Sequence, residues 1–204
     1  MKLRKRWIFV IPALVLAFFA SACSPKPFLK VQYQLPSQSN ALDVKKIILA
    51  VSDMRAKKAL LTENARPSLK DFNGTFSLVV LSEDGSGNLV GAYDLVSLLT
   101  EVFRQRLKNE GIQATAVAEN ALPELKIEIT KFQLDFADRK WIVSMSYRAS
   151  LLDNGSLLSK ESVSGEAERL KVTGKSGAEK ILSELLTDTV NKLNLAKLFQ
   201  QARQ

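Results

Sequence analysis

The sequence predicts an α+β domain: a mostly antiparallel sheet with two long helices packed on one face, reached through a cleavable N-terminal segment. Two apolar stripes of helical period, at residues 94–110 and 176–193, supply the helices. Strand-period runs supply the sheet. The clearest is 141–151, where Trp141, Val143, Met145, Tyr147, Ala149 and Leu151 share one parity.

The chain begins with a basic head (Lys2, Arg4, Lys5, Arg6) and an apolar run from Trp7 to Ala20. That run is shorter than the about 20 residues a bilayer span needs, so 1–22 reads as an export signal. It ends at Ala20-Ser21-Ala22-Cys23, which resembles the lipobox of bacterial lipoproteins. In that family the chain is cut before the cysteine, which then carries a diacylglycerol and an amide-linked fatty acid such as palmitate. Multiple acyl chains anchor stably where one is marginal, because each buried methylene contributes about 0.8 kcal/mol. Cys23 is the single cysteine, so no disulfide competes for it. The alternative is an ordinary signal peptide with Cys23 a chance thiol. Ser24 stands where an Asp would retain a lipoprotein at the inner membrane, so the resemblance implies the periplasmic face of the outer membrane.

Composition removes much chemistry. The net charge is +8, but four of the cations belong to the discarded head, and the mildly basic remainder does not indicate nucleic-acid binding. Histidine is absent, which with one cysteine excludes Ser-His-Asp and Cys-His catalysis and the usual zinc sets. Gly85-Ser86-Gly87 is a turn, lacking the strand and helix order of a phosphate-binding loop. Asp135 with Asp138, and Glu166 with Glu168, are spaced as outward turn and strand residues. The expectation is a non-enzymatic protein with no metal and no cofactor.

Taken in order, residues 23–40 carry Pro25, Pro27 and Pro36 and read as the acylated N-terminus and a tether. Leu29, Val31, Tyr33 and Leu35 alternate within it, enough for a short edge strand. Residues 41–204 read as a single periplasmic domain. A β-branched run at 44–52 is a buried strand, closed by Asp53-Met54-Arg55, which either forms a recognition ion pair or closes a turn. Residues 56–74 lack a period and read as a long, mobile loop with a helical turn near 58–61. Residues 75–82 form a second strand and 83–88 a turn.

Asp94 is the expected N-cap of the first helix, and Gly111 its left-handed C-terminal residue with Ile112 folding back on Leu107. From 125 to 136 the alternation changes phase, with Leu125, Ile127 and Ile129 on one parity and Phe132, Leu134 and Phe136 on the other. A bulge near Thr130-Lys131 reconciles them. At Asp153-Asn154-Gly155 a three-residue loop is expected, pairing Met145 with Val163 and placing Gly165 opposite Val143, where it leaves room for a ring or a close helix. Ser176-Gly177-Ala178-Glu179 reads as a capping box opening the second helix. Leu195, Leu198 and Phe199 continue as a short terminal helix that docks or protrudes.

Asp53-Met54-Arg55, the helix ending at Gly111, Ile127-Glu128-Ile129-Thr130-Lys131-Phe132 and the Asp153-Asn154-Gly155 hairpin together resemble the YajG-like family of bacterial lipoproteins. Tyr33-Gln34-Leu35 is similar to the early strand of ABC-transporter auxiliary lipoproteins, and the element order is similar to the lipopolysaccharide-assembly lipoprotein, whose aromatic segment is missing. These resemblances imply the location and the fold and supply no catalytic residue. The expected function is an interaction module for an envelope protein complex. Asp53, Arg55, Leu195, Leu198, Phe199 and the 56–74 loop are its candidate contacts. The alternative is a lipid or glycolipid transport accessory that holds an acyl chain between helices and sheet, which requires an apolar pocket near Gly165.

Overall fold

The computed structural model describes residues 27–38, 44–116, 122–171 and 175–201. Cys23 and the stretch that reads as an export signal lie outside them. The described residues form a mixed α+β fold of two sheets.

The larger sheet is built on three long strands, β6 (Glu124–Ala137), β7 (Lys140–Asp153) and β8 (Ser156–Leu170), paired antiparallel. Each hairpin turns on two residues at positive φ, Asp138 and Arg139 in the first, Asn154 and Gly155 in the second. Turns of that hand match the right-handed twist of the strands. β2 (Lys46–Asp53) then adds to β6 in parallel, and β5 (Gln113–Thr115) adds to β2 in parallel. The smaller sheet has the order β1-β3-β4, from β1 (Phe28–Gln34), β3 (Thr75–Leu81) and β4 (Gly87–Tyr93). There β1 and β3 run parallel, and β3 and β4 antiparallel.

The sheets are therefore mixed, where a mostly antiparallel one was expected. Parallel neighbours need long crossovers, and here residues 35–74 join β1 to β3 and residues 54–112 join β2 to β5. Strand β1 is part of the fold, so the domain begins inside the stretch read as tether. Strand β4 reads as turn and linker in sequence because Gly87 and Gly91 weaken its pattern. Pairing with β3, across an irregularity at Leu78/Val79, makes it a strand.

Helix α1 (Leu95–Asn109) matches its stripe. The Asp94 carboxylate accepts from Ser97 N at 2.8 Å, and Leu95, Leu98, Leu99, Val102, Phe103 and Leu107 are all buried. Each such side chain contributes about 1.5–3 kcal/mol of transfer free energy. At the far end Gly111 has φ +75°, Gly111 N donates to Lys108 O and Ile112 N to Leu107 O, the paired bonds of a Schellman ending.

Helix α2 (Ser176–Lys192) starts differently from expectation. Ser176 lies inside the helix, the residue before it makes no side-chain cap, and Glu179 is used elsewhere. Its carboxylate accepts from Lys30 N at 2.9 Å, Ser183 Oγ accepts from Gln32 N at 2.9 Å and Thr187 Oγ1 from Gln34 N at 3.1 Å. Asn191 Nδ2 then donates to Gln34 O at 3.0 Å. Four polar side chains at successive i, i+4 positions thus replace a neighbouring strand along the open edge of β1, a helix covering an edge that would otherwise invite pairing.

The bulge expected near Thr130 forms there, as the β6–β7 register shifts between Ile129 and Lys131. The β7–β8 hairpin corrects the sequence reading. A two-residue turn forms, a second bulge falls between Leu151 and Leu152, and Tyr147 pairs with Val163, Met145 with Gly165 and Val143 with Ala167. The extra residue sets Val143, Met145 and Tyr147 opposite small or apolar partners on β8. Gly165 is where α2 crosses. A Cβ there would sit 2.6 Å from Thr189 Cγ2 and 2.9 Å from Leu185 Cδ1. The room goes to a close helix, not to a ring.

Both helices touch both sheets, α1 against β2, β5, β3 and β4, α2 against β7, β8 and β1. Helix α3 (Leu195–Gln201) docks on β8, with Ser159 Oγ donating to Leu198 O at 2.7 Å.

A cationic cleft and two buried arginines

The segment from Arg55 to Gly74 contains no helical turn at 58–61; a 3₁₀ turn forms instead at Arg66–Leu69, where Pro67 fixes φ early in the turn. The segment is pinned rather than mobile. Leu134 N donates to Leu60 O at 2.8 Å and Thr62 N to Leu134 O at 3.1 Å, and Ala65 and Leu69 are buried. Thr62 Oγ1 also bonds the Asp135 carboxylate, which gives that acid a structural partner.

Its root is Arg55, buried at 6% exposure. The guanidinium donates from Nε and a terminal nitrogen to the two Asp53 oxygens, at 3.0 and 2.9 Å. The same fork reaches Phe132 O at 3.0 Å, Lys58 O at 3.1 Å and Ala59 O at 3.4 Å. A guanidinium has five N–H donors, and this one has a use within the chain for each. The Arg55 hydrogen bonds hold the Asp53 carboxyl down at a pKa of about 2, with burial working against them. Asp53 and Arg55 therefore staple the end of β2 to β6 and to the 58–59 backbone.

The segment walls two surface clefts. One, of about 350 Å³, lies between Leu60, Leu61, Leu69 and Phe72. The other, of about 410 Å³, is lined by Phe28, Leu69 and Phe72 and rimmed by Lys70, Lys171 and Lys175, with Asp71 as its carboxylate. Two of these ammonium groups are held in place. Lys171 Nζ lies 4.6 Å from the Phe136 ring centroid and donates to Ser68 Oγ at 2.9 Å. Lys175 Nζ lies 5.6 Å from the Phe28 centroid and donates to Phe28 O at 2.7 Å. A cation over an aromatic face is attracted by the ring quadrupole.

A second arginine, Arg106, is buried at 5% exposure between the helices. One terminal nitrogen donates to Leu193 O at 2.5 Å, at the C-terminus of α2, where the helix dipole favours a cation. Its Nε and other terminal nitrogen have no partner among the described residues. Burial lowers its pKa, against the pull of Tyr33, Tyr147, Glu110 and Glu161. Burial also pushes both tyrosines up, with Arg106 pulling them down. Tyr33 Oη donates to Asn191 Oδ1 at 2.8 Å and Tyr147 Oη to Thr189 O at 2.9 Å.

The candidate contact residues fare unequally. Leu195, Leu198 and Phe199 are 4%, 1% and 6% exposed, so their side chains are spent on the domain itself and are not presented to a partner. Arg55 is enclosed, and only its neighbours are open, Met54 being 61% exposed. Glu166 accepts from Ser144 Oγ and Glu168 pairs with Lys140, as outward strand residues do. Among the described residues no group of three acids or thiols is placed to hold a metal. The lysine cleft was invisible in sequence because topology alone joins residues 70, 171 and 175. Arg106 did carry a signal: it sits inside the apolar stripe, four residues after Val102 and three after Phe103.

No family model and no curated protein matches the sequence. Solved structures do. Protein XCC0632 from Xanthomonas campestris, of family DUF330, is 15% identical with a TM-score of 0.50, covering 86% of this chain and 96% of that one. That match shows a shared fold. A minor lipoprotein from Acinetobacter baumannii matches at 16% identity and a TM-score of 0.37, covering 80% of this chain and 93% of that one. Lipoprotein GNA1162 from Neisseria meningitidis matches at 15% identity and a TM-score of 0.31, covering 73% of this chain and 99% of that one.

Proposed function

We propose that this chain is a lipoprotein anchored through Cys23 to the periplasmic face of the bacterial outer membrane. Its α+β domain serves there as a non-enzymatic interaction module for an envelope protein. The observation that carries the module reading is the filled interior at Gly165. An acyl chain held between α2 and the sheet needs space there, and Thr189 and Leu185 already occupy it. Two surface concavities lie on a segment stapled in place by Arg55, which is the preformed kind of surface that partners bind with little rearrangement.

The test places a photo-reactive residue at exposed Lys57, on this segment, or at exposed Ser86, on the β3–β4 turn, in the full-length protein in cells. One dominant envelope protein captured from position 57, not from 86, and lost in Cys23→Ala, is the expected result. Enrichment of lipid alone would remove the module reading and put the carrier reading in its place.

A further inference from the structure

We propose that the cleft rimmed by Lys70, Lys171 and Lys175 docks on the anionic lipid surface in which the chain is anchored, fixing which end of the domain faces the membrane. This inference rests on the anchor at Cys23.

Chain length supplies the first argument. Phe28 forms a wall of the cleft and is five residues from Cys23, so the cleft lies within about 17 Å of the acylated residue even with the chain fully extended. A surface so close to the anchored residue is within reach of the headgroups. Charge supplies the second. The rim carries three ammonium groups against the single carboxylate of Asp71. Organisation supplies the third. Lys171 and Lys175 are held over Phe136 and Phe28 and hydrogen-bonded to Ser68 Oγ and Phe28 O, so little side-chain freedom remains to be lost on meeting a phosphate. Aromatic side chains beside lysines are the composition that settles at a bilayer interface.

Each lysine near an anionic surface is worth about fivefold in partitioning, so the three together are worth on the order of 100-fold, weakened by salt. The experiment uses the purified acylated protein in vesicles of phosphatidylcholine alone or with phosphatidylglycerol. A fluorophore sits on Pro67→Cys, at the cleft, or on Ser156→Cys, at the β7–β8 turn, and a quencher is carried by the lipid. Quenching at position 67 but not 156, only with phosphatidylglycerol, is the expected result. Lys70→Gln/Lys171→Gln/Lys175→Gln should abolish it with flotation unchanged, and Asp71→Asn, an exposed change that spares every lysine, should strengthen it.

Quenching indifferent to lipid charge or to both variants would overturn the docking while leaving the anchor intact. Loss of flotation by the unsubstituted protein would overturn the anchor and the docking with it. If only the triple variant unfolds, the Asp71→Asn comparison decides: an unchanged signal overturns the proposal.

Discussion

Two buried arginines in this molecule solve the same problem in opposite ways. Arg55 has a carboxylate in bidentate contact and three backbone carbonyls. Arg106, no more exposed, has one carbonyl, at a helix C-terminus, and two nitrogens without partners among the described residues. The first is a closed network whose removal orphans several groups at once. The second is a charge tolerated rather than stapled. Burial alone, equal in the two, predicts neither outcome; the number of acceptors each fork finds does.

Substituting Met at each site separates them. Arg55→Met leaves Asp53 and the carbonyls of Lys58, Ala59 and Phe132 without their donor. Losing one partner of a buried pair costs about 3–5 kcal/mol, or roughly 8–15 °C of Tm for a domain of this size. Differential scanning calorimetry measures it. A loss under about 1 kcal/mol would mean that the segment is held by its apolar contacts alone.

Acid should sharpen the same contrast. The folded Asp53 pKa of about 2 lies below its ordinary 3.8, so the pairing stabilises above that ordinary value and the contribution is lost as pH falls toward 2. The amount is roughly 2 kcal/mol. Urea midpoints collected between those two pH values should fall for the unsubstituted protein, and this fall should be smaller in Arg55→Met.

Arg106→Met should cost about 1 kcal/mol or less, because relief of the unpartnered nitrogens offsets the lost bond to Leu193 O. A cost equal to that of Arg55→Met would erase the comparison. Of the same small order is Tyr33→Phe, which removes one hydrogen bond and should cost about 1 kcal/mol at neutral pH. Tyr33 and Tyr147 ionise less readily when folded, so their contribution is present below the ordinary tyrosine pKa of about 10 and is lost as pH rises past it. Ultraviolet titration should then show those two tyrosines ionising only as the protein unfolds.

Legibility followed the range of the interaction. The cap at Asp94, the stripe of α1 and its ending at Gly111 depend on residues within one or two turns, and all were readable. The bulge near Thr130 was readable because the parity of β6 records it. The β7–β8 register is not legible in the sequence, because matching large apolar pairs favours the three-residue loop. In the fold, the crossing of α2 asks instead for a glycine opposite Met145, and Ser159, opposite Leu151, bonds the terminal helix. Glu179 was misread for a similar reason: a capping box is local, and the open edge of β1 outbid it. The terminal helix was readable as apolar, but which surface it covers was not.

By itself the sequence determined the periods of the long helices and strands, the place of its one cysteine, and the lack of histidine, since these are properties of neighbouring residues or of composition. Only the tertiary structure decided the mixed sheets, the pairing of β1 with β3, the polar ladder of α2, the difference between Arg55 and Arg106, and the meeting of Lys70, Lys171 and Lys175. Each of these joins groups separated by tens of residues or more, or turns on which acceptors a buried donor meets. Such contacts are set by how layers close on one another, and no local pattern along the chain encodes them.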